Sequence, residues 1–232
     1  MAGGTAETDV LIAGLGPVGA TLAVYLTRAG FRVTVCERDR DVYPPLMKET
    51  GFPQGSMFHQ PTLELALRAR LADEPLAEIR LGVRVTGFVD HGDRVTVQVS
   101  DDDGMSEISA RFLIGCDGGG SVVRRTADLP LEDMGFDEPW LRWEFMMLPG
   151  ETAEEVTSDA KLAELVAPFA DPDAITIERR AVYRFHAVTA RQWRKGRVVL
   201  AGDAAHQYSP TGGLGMNTGI QEAVDIAWKL SA

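Results

Sequence analysis

The sequence predicts an α/β fold, in which a sheet of parallel crossover units carries antiparallel hairpins and a smaller β-rich region. Three observations predict it. The stretch "TDVLIAGLGPVGATLAVYLTRAGFRVTVCERD" reads as strand, glycine-rich turn, helix and strand. The stretch "RVTVQV" alternates apolar and polar residues behind the turn "DHGD", the pattern of a hairpin. Near the end, "GRVVLAGD" is a short buried-type strand that leads through a glycine-rich loop into an amphipathic helix.

Each element follows in order. Val10 to Ala13 form a short apolar run bounded by glycine. Pro17 fits the first turn of a helix, where its missing N–H costs nothing. Val18, Leu22, Tyr25 and Leu26 then recur at helical spacing, and Gly30 ends the helix. "FRVTVCE" is a second β-branched run, which completes a βαβ opening. In "HQPTLELALRARL", Pro61 and Thr62 open a helix with Leu63, Leu67 and Leu71 along one face. A hairpin and a third strand follow, the last ending at Cys116. "SDAKLAELVAPFA" reads as a short amphipathic helix and "AITIERRAVYRFHAV" as a strand, before "GRVVLAG" and the final helix.

Composition bounds the function classes. The 232 residues, 45% hydrophobic and 25% charged, suit one large domain or one domain with a smaller insert. A net charge of -11 argues against a sequence-independent hold on nucleic acid or an acidic membrane. No apolar run approaches the ~20 residues of a membrane span. The start "MAGGTAETD" lacks the basic and apolar regions of a secretory signal. The two cysteines, Cys36 and Cys116, form neither a metal-binding spacing nor a disulfide framework, and each ends an apolar run as a small buried thiol. A cytoplasmic protein without a metal site is expected, since none of the four histidines pairs at ligand spacing.

The first chemical motif is Gly14-x-Gly16-x-x-Gly19. Gly14 permits a tight turn, Gly16 lets the backbone approach a pyrophosphate, and Gly19 lets the helix pack closely on the sheet. Eighteen residues after Gly19 comes Glu37, at a strand end where a carboxylate accepts hydrogen bonds from ribose hydroxyls. A Rossmann-like dinucleotide site follows, and NAD and FAD both remain open at this point. The second motif, Asp117–Gly118 in "FLIGCDGGGSVVRR", lies where a buried strand surfaces. Alone it reads as a turn with Asp as its hydrogen-bonding residue. The third, Gly202–Asp203, places a carboxylate at the C-terminal edge of a strand, the ligand side of an α/β sheet. Behind it, Pro210, Gly212, Gly213 and Gly215 shape a loop, and Met216 and Asn217 start a helix whose N–H groups suit the electron-rich edge of a flavin.

Together, "GLGPVGA…CER", "FLIGCDGGGSVVRR" and "GRVVLAGDAAHQYSPTGGLGMNTGIQEAVDIAWKL" resemble the FAD-dependent aromatic hydroxylases. The group is the para-hydroxybenzoate hydroxylase-like flavoprotein monooxygenases, in the hydroxyphenylpropionate hydroxylase branch with its antibiotic-tailoring relatives. The resemblance implies one extended FAD held at both ends. Gly14, Gly16 and Gly19, with Pro17 and Val18 between them, would take the pyrophosphate, and Glu37 with Arg38 the adenosine ribose. Gln60 would lie on the ribityl side, and Asp117 and Gly118 would serve FAD and NAD(P)H together. Gly202 and Asp203 would hold the ribityl or pyrophosphate region. The loop from Gly212 through Gly215 and Met216 to Asn217 would cradle the isoalloxazine. The implied reaction hydroxylates a phenolic or polycyclic aromatic substrate with NAD(P)H and O2, through a flavin C4a-hydroperoxide beside Pro210, Gly212 and Gly213. His206 and Tyr208 could relay a proton from a phenol, or His206 could pack and hydrogen-bond behind the loop.

The resemblance implies a discontinuous FAD-binding domain over 1–128 and 186–232, and a shortened, β-rich substrate domain over 129–185. Two stretches are shorter than the family pattern. Only "RDRDVYPPLMKETGFPQGSM" separates Glu37 from Phe58, with no arginine after Arg40, and "DEPWLRWEFMMLPGE" jumps from a first substrate-domain strand to a late one. The chain also stops at Ala232, where relatives continue. Internal deletions are therefore expected, and with them a second reading: a shortened FAD-binding protein with a binding or regulatory role. A plain NAD-dependent dehydrogenase leaves the second and third motifs unexplained. Trp140, Trp143, Phe145, Met146 and Met147 read as core or as pocket lining, and apolar surface left by a shortened domain would favour a homo-oligomer. Arg124 and Arg125 read either as an exposed helix start or as an attractor for a nicotinamide phosphate.

Overall fold

The computed structural model describes residues 6–40, 50–52, 55–57, 60–141, 145–146, 158–168, 182–208 and 214–232. The chain divides into two compact units, Met1–Glu132 with Val188–Ala232, and Asp133–Ala187. In the first, β1 (Ala6–Ala13) runs through the glycine turn into α1 (Pro17–Arg28) and β2 (Val33–Glu37). After β3 (Thr50–Phe52) and β4 (Gly55–Met57) come α2 (Gln60–Ala72) and β5 (Ala77–Leu81). The hairpin β6 (Arg84–Asp90) and β7 (Val95–Asp101) leads into β8 (Gly104–Gly115), α3 (Val122–Thr126) and β9 (Leu131–Leu141). Then follow β10 (Phe145–Met146), α4 (Asp159–Val166), β11 (Val182–Ala190), β12 (Arg194–Lys195), β13 (Val198–Leu200), a 3-10 turn (Gly202–Ala204), β14 (His206–Gln207) and α5 (Leu214–Ser231).

The main sheet has the order β12-β13-β8-β1-β2-β5, with β7 and β6 also joined through β8. β1 is the centre, parallel to β2 on one side and β8 on the other. Its last residue, Ala13, stands level with Cys36 of β2 and Gly115 of β8, and Leu200 of β13 stands level with Gly115. The parallel strands therefore end together, and the loops after them emerge at one edge. β8 makes this possible by changing partners along one of its sides. Its first residues, Gly104 to Ala110, pair antiparallel with β7, whereas Leu113 to Gly115 pair parallel with β13.

The pattern of β1 explains why it sits at the centre. Val10 and Ile12 join one core cluster with Leu22, Leu26 and Val35, while Leu11 and Ala13 join another with Val97, Ile108 and Leu113. A strand covered on both faces needs a continuous apolar run, and "VLIA" supplies it. The α2 stripe packs over its second half only: Leu71 is 1% exposed and Leu67 packs against the core, while Leu63 is half-buried outside both core clusters. In α1 the stripe differs from the prediction. Tyr25 is 41% exposed, because Ala20, Ala23 and Val24 take the buried positions beside Leu22 and Leu26. α5 lies so near α1 that a Cβ on Gly219 would overlap Val18. This helix starts at Leu214, so Gly215, Met216 and Asn217 sit inside its first turn and not ahead of it.

Cys36 and Cys116 are free thiols, and burial raises both, Cys36 to about 12. Cys36 is buried as the sequence predicts, whereas Cys116 is only partly buried and lines the cleft described below. Among the described residues, no helix is long and apolar enough to cross a membrane. In the second unit, β9 and β10 pair antiparallel, Trp140 opposite Met146 and Leu141 opposite Phe145. Only this backbone pairing is described for the predicted aromatic cluster, and Trp143 and Met147 lie outside the described residues. Ser158 caps α4 by accepting from the Lys161 N–H.

The hairpin tip is tied back to the chain before β13. The Asp90 carboxylate accepts from the backbone N–H groups of Arg197 (2.9 Å) and Gly92 (2.8 Å), and Arg197 Nε donates to the Gly92 carbonyl (2.5 Å). The bond from the Arg197 N–H does most to hold the Asp90 carboxyl below its ordinary range, against some desolvation. A depressed acid contributes stability above its unfolded value of about 4, and that contribution disappears as pH falls through the lower folded value. An Asp90→Asn variant should therefore melt below the parent at pH 7. The deficit should shrink as pH falls below about 4 in paired thermal melts.

Candidate functional site

The glycine turn is pinned from both sides. The Gly14 N–H donates to the Cys36 carbonyl at the end of β2, and the Cys116 N–H donates to the Ala13 carbonyl, each at 2.8 Å. Gly14 has φ +99, in the region that L side chains avoid, and a Cβ there would overlap the Cys116 carbonyl. A Cβ on Gly19 would overlap the Gly14 carbonyl, so α1 starts against the turn itself. Gly16 differs: a Cβ would meet nothing within 4 Å. Gly16 is the N-cap of α1 and makes no side-chain cap bond, with Pro17 following in the first turn. The uncapped amides and the positive end of the helix dipole thus border open space, the arrangement that holds a phosphate.

Glu37 closes the next side. Its Oε2 accepts from the Leu15 N–H at 2.7 Å and its Oε1 from the Asp39 N–H at 2.9 Å. These two amides fix the carboxylate at the rim of the glycine turn. Each oxygen keeps a lone pair for a ligand hydroxyl. Arg38 is exposed beside it, with Nε on Asp39 Oδ2 at 3.1 Å.

The Asp117 carboxylate works within its own turn. It accepts from Ser121 Oγ (2.5 Å) and from the N–H groups of Val122 (2.7 Å) and Val123 (3.1 Å), which caps α3. Asp117 and Gly118 both line the cleft. Arg124 departs from both of its sequence readings. It is 8% exposed, and its guanidinium donates to the carbonyls of Gly119 (2.9 Å) and Ala204 (3.1 Å). It therefore ties the turn after β8 to the turn after β13 and presents no free charge to a phosphate. Burial, then the nearby Arg125 charge, lowers its pKa from the ordinary guanidinium value. Arg125 is exposed, bonded to the Gly120 carbonyl, and lines the cleft.

Gly202 and His206 are both held by one residue of α5. Glu222 Oε2 accepts from the Gly202 N–H at 2.8 Å, and its Oε1 lies 2.5 Å from His206 Nε2. His206 is 0% exposed, with its ring against those of Trp193 (centroids 5.2 Å apart) and Tyr208 (4.5 Å). Its Nδ1 has no hydrogen-bond partner among the described residues. The ring is thus enclosed behind the turn, with no exposed edge. Asp203 points outward. Desolvation by the surrounding chain is the main cause raising its carboxyl above the ordinary range, with His206 opposing and the Glu222 charge adding.

The glycine turn, the Glu37 rim and the Asp117–Gly118 turn border a cleft of about 470 Å3 within the first unit. Of the sequence-predicted residues, Gly14, Gly16, Glu37, Arg38, Asp117 and Gly118 line it. Pro17, Val18 and Gly19 lie beneath, in the helix that starts there. Gly202, Asp203, Gly215, Met216 and Asn217 do not line this cleft. Nor does Gln60, whose Nε2 donates to Glu64 Oε1 at 2.8 Å. Pro210, Gly212 and Gly213 lie outside the described residues. The sequence reading missed Glu64 and Arg68, which line the cleft from α2, and Val83, just before β6, with Arg84 and Val85 at its start. For the α2 pair the signal was available, since charges at i and i+4 share a helix face.

The chain matches the FAD binding domain family over residues 7–57, 45–140 and 129–232, and belongs to that family. It is 28% identical over 311 aligned positions to a 3-(3-hydroxy-phenyl)propionate/3-hydroxycinnamic acid hydroxylase from Paraburkholderia xenovorans, covering 98% of this chain and 50% of that protein. The solved anhydrotetracycline hydroxylase from Streptomyces rimosus is 26% identical, with a TM-score of 0.75 over 97% of this chain and 62% of that one. A p-nitrophenol 4-monooxygenase from Pseudomonas putida shares the fold, with a TM-score of 0.85 at 22% identity over 97% of this chain and 80% of that one. The motif-based resemblance to flavoprotein aromatic hydroxylases thus extends along almost the whole chain. The chain spans about half the length of the curated relatives it matches. The 311 aligned positions exceed its 232 residues, so that relative carries internal segments absent here.

Removing the Glu222 carboxylate strands two groups at once, the Gly202 N–H and the buried His206 Nε2. Glu222→Ala should lower unfolding free energy by about 2–4 kcal/mol in urea titration. Glu222→Gln, which keeps one acceptor oxygen, should lose less.

Proposed function

We propose that this protein binds FAD and, with NAD(P)H and O2, hydroxylates a phenolic or polycyclic aromatic compound. The observation that carries the reading is the convergence of the Gly14–Gly19 turn, Glu37 and the Asp117–Gly118 turn on one cleft. It is supported by a family of FAD-binding domains and by relatives named as hydroxylases of aromatic compounds. The site fits the dinucleotide half of FAD on its own geometry. Gly16 leaves room at an uncapped helix start, and Glu37 stands fixed at the rim with acceptor capacity for a hydroxyl.

In this reading the amides of the α1 start and the Gly14–Gly16 backbone bind the pyrophosphate, and Glu37 orients the adenosine ribose. Asp117, by capping α3, keeps the Gly118 turn open to the ligand. Asp203 faces the ribityl side. The Glu222–His206 pair holds the Gly202 turn at a fixed distance from α5, which makes His206 a positioning residue. The helix start at Gly215, Met216 and Asn217, with Pro210, Gly212 and Gly213 before it, serves the isoalloxazine side. When bound, FAD accepts reducing equivalents from NAD(P)H and activates O2, and the protein supplies orientation and exclusion of water. The unit from Asp133 to Ala187 would carry the aromatic substrate.

A second reading has its own support. The segments that the relative carries and this chain lacks favour an FAD-binding protein that does not hydroxylate. The two separate in one assay, in which FAD-loaded protein meets NADH or NADPH, a panel of phenols and 18O2. Hydroxylation predicts that a phenol stimulates NAD(P)H consumption and that product carries 18O. NAD(P)H consumption that no phenol changes, with all oxygen recovered as hydrogen peroxide, would establish the second reading.

A further inference from the structure

We infer that Arg68 is the side-chain cation that pairs with the diphosphate of the bound dinucleotide, an assignment that rests on the FAD reading above. Arg68 lies on α2 and lines the same cleft as Gly14, Gly16 and Glu37. Its Nε is buried and has no hydrogen-bond partner among the described residues. A buried guanidinium N–H without an acceptor is costly, so the position calls for an anion.

The surrounding charges show why the acceptor is not supplied by the protein. Glu37 accepts from two backbone amides, and Asp117 from one hydroxyl and two amides. Asp39 is paired with Arg38. Glu64 stands one helical turn before Arg68, the usual i,i+4 partner, yet its Oε1 accepts from Gln60 Nε2. The contrast lies on the same helix, where Arg70 and Glu74 do form the i,i+4 pair at 3.2 Å.

The ligand side has the complementary need. The glycine turn, "GLGPVG", offers amides and a helix dipole but no cationic side chain. A diphosphate with about two negative charges enters a cleft lined by the acids Glu37, Asp39, Glu64 and Asp117. Three further arginines line it, all exposed to water: Arg38, paired with Asp39, Arg125, bonded to the Gly120 carbonyl, and Arg84. Arg68 is the half-buried one, with a buried N–H that lacks an acceptor among the described residues. In FAD at neutral pH the diphosphate is the anionic group. A planar guanidinium donates to phosphate oxygens through two parallel N–H bonds, which an ammonium cannot copy.

The test compares ADP with adenosine, which differ by the diphosphate, on the intact protein by calorimetry at several salt concentrations, with FAD titrated alongside. Arg68→Met should weaken ADP and FAD by about ten- to a hundredfold and leave adenosine unchanged. Its log Kd for ADP should depend less steeply on log salt than the parent's. Arg68→Lys, which keeps the charge and the aliphatic stem, should weaken ADP by less than Met does. If both variants bind ADP as tightly as the parent with the same salt slope, Arg68 does not pair with the diphosphate, while the FAD reading stands. Equal loss of ADP and adenosine would also overturn it, as a packing effect. If the parent binds neither ADP nor FAD, the dinucleotide reading fails and the assignment falls with it.

Discussion

The structure depends on one constraint: β1 runs parallel to and in register with its neighbours on both sides, and the three strands end together. Ala13, Cys36 and Gly115 lie at one level of the sheet, so the chain leaving each strand emerges at the same edge. The glycine turn, the Glu37 rim and the Asp117 turn are consequences of that registry. A one-residue slip of β1 would turn Val10 and Ile12 to the opposite face, and the two core clusters hold the register against it. Ligand sites in open α/β sheets form beyond the C-terminal strand ends for this reason.

Polar side chains then join turns that the sheet only brings near. Arg124 bridges the turn after β8 to the turn after β13, while Glu222 bridges the turn after β13 to α5. Both are largely withdrawn from water, where a missing partner costs more than the bond itself contributes. Such ties fix position more than they add stability, which is what a site assembled from distant segments requires. The Asp90–Arg197 contact does the same on the surface for the hairpin tip, with less effect because water competes there.

Much of this was legible in the sequence because its signals are local. The Gly14–Gly19 spacing, the Pro17 helix start, the apolar run of β1 and the placement of Glu37 at a strand end each depend on a few adjacent residues. What the sequence concealed is non-local. Arg124 reads as an exposed helix residue because nothing nearby shows that Ala204, eighty positions away, supplies its acceptor. Tyr25 reads as part of the buried stripe, but the small residues Ala20 and Ala23 let neighbouring elements approach α1 so closely that the buried side shifts. The split pairing of β8 has no local signature. Arg68 was overlooked because an arginine on an amphipathic helix ordinarily faces solvent, and only the cleft beside it gives its orphaned Nε a meaning.

The central claim is that these turns make a retained FAD site. The visible absorption spectrum of the purified protein, loaded with FAD and then desalted, tests it most directly. A structured flavin spectrum that stays with the protein, near one FAD per chain, is the predicted result. A colourless protein after desalting, with the flavin recovered entirely in the small-molecule fraction, would contradict it.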